Sequence, residues 1–477
     1  MPNDYPGGTV DDGPNLAVPE LLADLRAAGI PHDTASLVRA AHGRDWWPLS
    51  IPLVAEGRVP RWPGVVVRPR SNEEVSRVLT IAGRHGVAVT AQGGRSSVVG
   101  GAVAPAGAIA LDLTALDRVL GLDDVSGTVT AEVGIFGPEL EAFVQERGFT
   151  VGHFPQSFEL ATVGGWLACR GAGQYSNRYG KIEDIVRGLT VVLANGDVVH
   201  LGGRGPRQAV GPDLVQLFVG SEGTLGVITS ATLVLQRRAD FEQRHAYGFG
   251  TFDEGLEACR RVLQRGARPA VLRLYDETES SRSFGVTTNA LIVLDEGDRV
   301  LVEATMSIVA QECHRANSLD DALVATWLEH RNDVGALAPL WERGVVVDTI
   351  EVAGPWVRLA AMRDDVTAAL LAEAATAMVS LHQSHAYLDG ACLYFTFVGR
   401  PEGDPTDYYR RAWDVATRAV LANGGTLSHH HGVGHSRARF VREALDSAYP
   451  VLVALKEALD SQNVMNPGVL GIGGEPW

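Results

Sequence analysis

The spacing of apolar positions switches repeatedly between the two-residue period of strands and the 3.6-residue period of helices. The stretch PELLADLRAAG predicts a short helix with proline at its start. Gly64–Pro69 is a β-branched strand stopped by Pro69. Ser71–Glu74 supplies a cap and an acidic first turn for a helix over 73–85. Strands follow at 87–90, 109–113 and 128–134, then a helix at 137–147.

From about residue 238 the texture changes. Strands are predicted over 241–252, 270–275, 290–294, 345–351 and 391–398. Helices are predicted over 253–265, in one long piece around 303–330, over 356–379 and over 405–423. This order indicates an α+β class with a mixed or antiparallel sheet in the second half. The first dozen residues, rich in Gly, Pro and Asp, are expected to be disordered. The domains expected are an N-terminal extension (1–59), a first domain (60–237), a second (238–440) and a C-terminal segment (441–477) that returns to the first.

Composition narrows the class. At 477 residues and 45% hydrophobic content the chain is long enough for two or three cores. A net charge of −16 excludes the broad basic surface that nucleic acid requires. No uninterrupted apolar run is long enough to span a membrane. Neither end reads as a signal peptide or peroxisomal address, so a cytoplasmic protein is expected. Cys169, Cys259, Cys313 and Cys392 have no paired spacing and read as reduced, buried thiols.

Candidate chemistry lies in three glycine tracts and a histidine run. The tracts are Gln92–Gly101, Thr162–Gly180 and Gly220–Thr229. None is the G-x-G-x-x-G fingerprint that opens a helix in dinucleotide folds. Their glycines let backbone N–H groups approach a pyrophosphate or a planar ring. His429, His430 and His431 follow one another between two glycine pairs. Read as a strand, this run points its outer two rings one way and the middle ring the other. Adjacent imidazoles suit acid–base work or ligand binding.

Together with Arg273–Asp276, Pro355–Arg358 and Gly390–Phe395, these tracts occur in an order that resembles the alkyldihydroxyacetonephosphate synthase family of vanillyl-alcohol-oxidase-type flavoproteins. The resemblance runs from Arg39–Gly43 to Asn466–Gly468. It implies a two-part FAD-binding domain of the PCMH type under a cap domain that covers the flavin. It implies FAD contacts at Gly93, Gly94, Arg95, Ser96, Ser97, Ser157, Thr162, Gly165, Arg170, Glu222, Gly223, Thr224, Gly226, Val227 and Ile228. It implies Tyr394, His429, His430 and His431 as catalytic groups, and Arg273 and Arg358 as holders of a substrate phosphate. The reaction implied has no net redox change. It exchanges acyl for alkyl on a phosphorylated ketone through an adduct at flavin N5, as in ether-lipid synthesis. A homodimer, peripheral membrane contact and a lipid-tailed substrate are further implications.

Two departures stand out. The family's first loop carries a third glycine where this chain has Arg95. Flavoproteins that attach FAD to histidine at this loop would have it there, so non-covalent FAD is expected. The family's basic residue after the histidines is here His435. The alternative function is a FAD-linked oxidase or dehydrogenase of a 2-hydroxy acid or alcohol, and a non-catalytic FAD scaffold is a third. Such dehydrogenases place histidines and a glutamate around a metal, which His429, His431, His435 and Glu351 would imitate. Adjacent histidines rarely reach one ion, so no metal is expected.

Overall fold

The fold is that of a computed structural model, which describes residues 13–333 and 338–474. The first dozen residues, expected to be disordered, lie outside that range. Strand Val65–Val67 pairs in parallel with Ile109–Asp112, which pairs in parallel with Val89–Gln92. His32–Asp33 completes this four-stranded sheet in antiparallel sense. The intervening helix Asn72–His85 begins where expected: the Ser71 hydroxyl accepts from the N–H of Glu74. It ends at Gly86, whose φ of 62° suits a residue without a Cβ. Its Val75, Val78 and Leu79 are buried against the sheet.

A second, five-stranded antiparallel sheet orders its strands as Val119–Asp123, Thr128–Glu132, Val227–Val234, Val186–Val192 and Val198–Gly202. One hydrophobic core joins both sheets and takes in Leu21, Leu25, Val464 and Met465 from near the two ends. The C-terminal segment touches the first sheet directly, through a parallel bridge between Met465 and Val89.

Residues 241–399 supply a seven-stranded antiparallel sheet. Its period-two alternation has two destinations. Leu272, Leu274, Leu393, Phe395 and Phe397 join a core roofed by the helices Phe252–Gln264, Arg299–Glu312, Trp356–Ala372 and Pro405–Ala422. Arg273, Tyr275, Tyr394 and Thr396 face the other way, into a cavity.

Two expectations need correction. The long helix around 303–330 is two helices, Arg299–Glu312 and Ala322–His330, separated by the strand Asn317–Leu319. Ser318 and Leu319 pair with Tyr247 and Ala246, so an open sheet edge overrides helix propensity there. The helix predicted over 356–379 stops at Ala372, and Thr376–Ala386 is a strand. Glu373 leaves the helix in an extended conformation, and Asp389-Gly390 closes a hairpin onto the next strand. His429–His431 lies in an irregular turn.

Candidate functional site

The two halves of the molecule meet around a cavity of 970 Å³, near the upper end of the roughly 300–1,000 Å³ typical of ligand sites. The glycine tracts line one half. Gly93, Gly94, Arg95, Ser96, Ser97, Ser157, Thr162, Gly165, Glu222, Gly223, Gly226 and Ile228 are all on its wall. A Cβ on Gly94 would strike the carbonyl oxygen of Leu160, so this loop lies against the second tract as only glycine allows. Each tract also holds one non-glycine residue in the left-handed region: Arg95 (φ 55°), Arg170 (φ 53°) and Glu222 (φ 48°). The position where the resemblance would put a glycine therefore keeps a glycine's backbone.

Three expected cofactor residues stand behind this wall rather than on it. Arg170 donates from Nε to the Val219 carbonyl at 3.0 Å and from Nη2 to that of Gln216 at 3.1 Å. The Thr224 hydroxyl donates to the Ser221 carbonyl at 2.7 Å. Val227 is buried in a strand. These residues shape the loops.

The wall fits a flavin dinucleotide. A Cβ at Gly165 would meet only the Thr162 hydroxyl, at 3.7 Å, and would otherwise occupy the cradle itself. Trp166 Nε1, Gln92 Oε1, Ser50 Oγ and Arg95 Nε are buried on the cavity wall without hydrogen-bond partners among the described residues. Such groups are normally satisfied, and here they suit a polar ligand.

The cap half carries the acid–base groups. The Tyr394 hydroxyl stands 3.1 Å from His431 Nε2 and accepts from the Thr349 hydroxyl at 3.3 Å. Its ring stacks on that of His382 at 4.8 Å. Burial pushes the Tyr394 phenol well above its usual range. Burial also pushes the imidazoles of His385, His429, His430 and His431 below theirs, so these rings are uncharged at neutral pH. His430 and His431 line the cavity. His429 sits behind them, with Nδ1 2.8 Å from His430 Nδ1 and Nε2 2.7 Å from the Tyr387 hydroxyl.

The histidine turn is held from below. Glu351, fully buried, accepts on Oε1 from the Ser428 hydroxyl and from the N–H groups of His430 and His431. Its Oε2 lies 2.6 Å from Nη2 of the fully buried Arg437. Burial pushes the Glu351 carboxyl up, but Arg437 and His431 outweigh it and hold the group below the carboxylate range. Glu222 ties the same segment to the cofactor half by accepting from the N–H groups of Val433 and Gly434 at 2.7 and 2.8 Å.

Arg273 faces the cavity. Its Nε donates to the Tyr275 hydroxyl at 3.0 Å, and its Nη2 lies 2.8 Å from His382 Nε2. Arg358 does not reach the site. It is exposed on the helix Trp356–Ala372 and absent from the cavity wall, which corrects its expected role in binding substrate. The metal-binding alternative also fails to assemble as stated. Among the described residues the group bringing three ligating atoms within 4.8 Å is His385, His429 and His430, and Glu351 is not part of it.

The sequence reading missed Glu279, Trp327, Arg331, His382 and Ser384, all on the cavity wall. His382 and Ser384 alternate in the strand Thr376–Ala386, which lies mostly beyond the helix predicted over 356–379 and has no predicted element of its own, so their shared face is hidden in the sequence. The signal that would have exposed it is Asp389-Gly390, a hairpin turn between two runs of strand length.

Comparisons with known proteins agree with this geometry. The model of the FAD binding domain matches residues 63–202, and that of the C-terminal domain of FAD-linked oxidases matches residues 242–470. An alkyldihydroxyacetonephosphate synthase from Dictyostelium discoideum is 29% identical over 95% of this chain and 81% of its own. An uncharacterized FAD-linked oxidoreductase of Escherichia coli is 31% identical over 86% of this chain and 89% of its own. The glycolate oxidase subunit GlcD of Bacillus subtilis is 26% identical over 85% of this chain and 88% of its own. A solved alkyldihydroxyacetonephosphate synthase structure superposes with a TM-score of 0.81 at 27% identity, covering 96% of this chain and 87% of that one.

Proposed function

Within the FAD-linked oxidases of the vanillyl-alcohol-oxidase type, to which the chain belongs as a FAD-dependent enzyme, we propose that it exchanges an acyl for an alkyl group on a phosphorylated ketone. The observation that carries this reading is the Tyr394 hydroxyl at the cavity wall, in contact with the neutral imidazole of His431. A phenol beside an uncharged imidazole can take a proton from a substrate carbon and return it, which this exchange requires and a simple hydride transfer does not. The likeness to alkyldihydroxyacetonephosphate synthases supports the same reading.

FAD, when bound, supplies an electrophilic ring that accepts an electron pair. The protein's own groups do the rest. Gly93, Gly94, Ser96 and Ser97, with the walls formed by Ser157, Thr162, Gly165, Glu222, Gly223, Gly226 and Ile228, would hold the cofactor. Arg273 would hold the anionic end of the substrate, as a forked cation suits phosphate. Tyr394 would move the proton at the reacting carbon, with His431 as its partner and His430 beside it. In balance, the carbon–oxygen bond to the carboxylate breaks and the carboxylate leaves with the electron pair. A carbon–oxygen bond to the alcohol forms, and the alcohol's proton is released. No electrons are lost or gained. A lipid-tailed substrate, a homodimer and a cytoplasmic, membrane-peripheral setting belong to the same proposal. Among the described residues no helix is long and apolar enough to cross a membrane.

A second reading, oxidation of a 2-hydroxy acid, draws on the likeness to the glycolate oxidase subunit and on the cluster of His385, His429 and His430. One experiment separates the two. The purified protein is expected to be yellow and to release free FAD on acid or heat treatment. Its flavin should bleach anaerobically on adding acylated dihydroxyacetone phosphate, and added fatty alcohol should yield the alkyl product. Bleaching by a 2-hydroxy acid instead would establish the second reading, and flavin retained on the denatured chain would refute non-covalent binding.

A further inference from the structure

A buried imidazole has no water to fix its ring or choose its tautomer, so the protein must do both. Behind the His431 ring stands one carboxylate. Glu351 Oε1 accepts from the Ser428 hydroxyl at 2.6 Å, the His430 N–H at 3.1 Å and the His431 N–H at 2.7 Å. Its Oε2 stands 3.9 Å from His431 Nδ1. On the far side of the ring, His431 Nε2 meets the Tyr394 hydroxyl at 3.1 Å. Glu351 and Tyr394 are themselves direct partners across adjacent antiparallel strands. The three donors that Glu351 collects lie about 80 positions further along the chain, so one carboxylate fastens the histidine turn to the strand pair that carries Tyr394.

We propose that Glu351 is the positioning residue of a Glu351–His431–Tyr394 relay, setting the His431 ring so that its Nε2 exchanges a proton with the Tyr394 hydroxyl. The inference rests on the reading that Tyr394 moves the proton. As Tyr394 takes a proton from the substrate, it passes its own to His431 Nε2. The carboxylate stabilises the imidazolium across the ring, and the proton returns by the same route. Glu351 stays ionised because Arg437 faces it at 2.6 Å, so it orients and stabilises without becoming protonated. The groups facing His431 are Glu351 from its strand, Arg437 from the chain beyond the turn, Tyr394 from its strand, and the neighbouring His430 ring at 4.6 Å. The carboxylate favours a proton on Nδ1, which leaves Nε2 to accept from the phenol.

The test uses FAD-loaded protein in three forms: parent, Glu351→Gln, and Glu351→Gln with Arg437→Gln. The double variant leaves no unpaired buried charge, so it stays informative if the single variant fails to fold. Histidine side chains are labelled with ¹⁵N, and the His431 signals are assigned by their loss in His431→Asn. The parent should show His431 as one tautomer, protonated on Nδ1, and both variants a mixture. Bleaching of the flavin by acylated dihydroxyacetone phosphate should slow by roughly 10–100-fold in both variants with KM little changed. An unchanged tautomer in both variants would overturn the proposal. So would a double variant with the parental rate, since Glu351 would then serve only as counter-ion to Arg437. If the parental flavin does not bleach, the proposed reaction fails, while the tautomer measurement still decides the role of Glu351.

Discussion

Tyr394 is the residue on which the proposed chemistry turns. Its strand alternates Leu393, Phe395 and Phe397 into the core with Tyr394 and Thr396 toward the cavity. Replacing Tyr394 by Phe keeps the ring, its stacking on His382 and its packing, and removes only the hydroxyl. Turnover should fall by about 10²-fold or more, with FAD content and Tm almost unchanged. A core tyrosine would behave in the opposite way: normal turnover with about 1–2 kcal/mol of stability lost with its hydrogen bonds. Rate and melting temperature measured on the same preparation separate the two. Arg95 is a second case of role read from backbone. A φ of 55° in a residue with a Cβ is held against a local preference, and such strain gathers at binding sites.

At the level of elements, the helix Tyr449–Leu459 shows how the C-terminal segment supports the cofactor wall. Lys456, buried, donates to the Thr224 carbonyl at 3.0 Å, the Met465 carbonyl at 2.6 Å and Asp460 Oδ2 at 2.5 Å. It pins the third glycine tract to the helix and to the strand-like return at Met465. Lys456→Met would leave Asp460 buried without its cation and Thr224 without its donor. A loss of about 3 kcal/mol in denaturant unfolding is expected, together with weaker FAD binding in a fluorescence titration. A variant as stable as the parent would show that the anchor is dispensable. Nothing in the sequence marked Lys456, since a lysine in an amphipathic helix reads as surface. What was legible at this scale was local: the capped helix Asn72–His85, the alternating strand of Tyr394 and the glycine tracts each follow from near neighbours. What was hidden depended on distant partners. The strand Thr376–Ala386 forms because its hairpin mate and Leu274–Tyr275 flank it. Arg358 looked like a phosphate ligand until the helix that carries it was placed with that face to solvent.

Across the whole molecule, burial has shifted carboxyl groups on the cavity wall, and each adds its own pH dependence to stability. Glu222 links the third glycine tract to the backbone of Val433 and Gly434, so it spans the halves that meet at the site. Burial raises its carboxyl to about 7 despite those two N–H donors. Asp45, also on the cavity wall, is raised to about 7 by burial. Glu351 and Asp112 lie on the opposite side of the ledger, held below the usual range in spite of burial, Glu351 chiefly by Arg437 and Asp112 by its hydrogen bonds with His42 and Thr114. The signs follow from proton counting. Between the unfolded carboxyl range near pH 4–4.5 and about 7, the folded chain holds protons on Glu222 and Asp45 that the unfolded chain has lost. These two carboxyls therefore contribute a stability that falls as pH rises through that window. Glu351 and Asp112 contribute stability that is fully present above the unfolded carboxyl range and is lost only as pH falls below it. The buried imidazoles of His385, His429, His430 and His431, held below their usual range, act with the opposite sign and add stability as pH rises toward the unfolded histidine range. Glu222→Gln, which keeps an acceptor for one of the two N–H groups and removes the titration, should remove the Glu222 share of that decline, about 1–3 kcal/mol between pH 5 and 7. The measurement is the temperature of flavin release at pH 5.0 and 7.5 in parent and variant. A parental slope in Glu222→Gln would refute the proton assigned to Glu222.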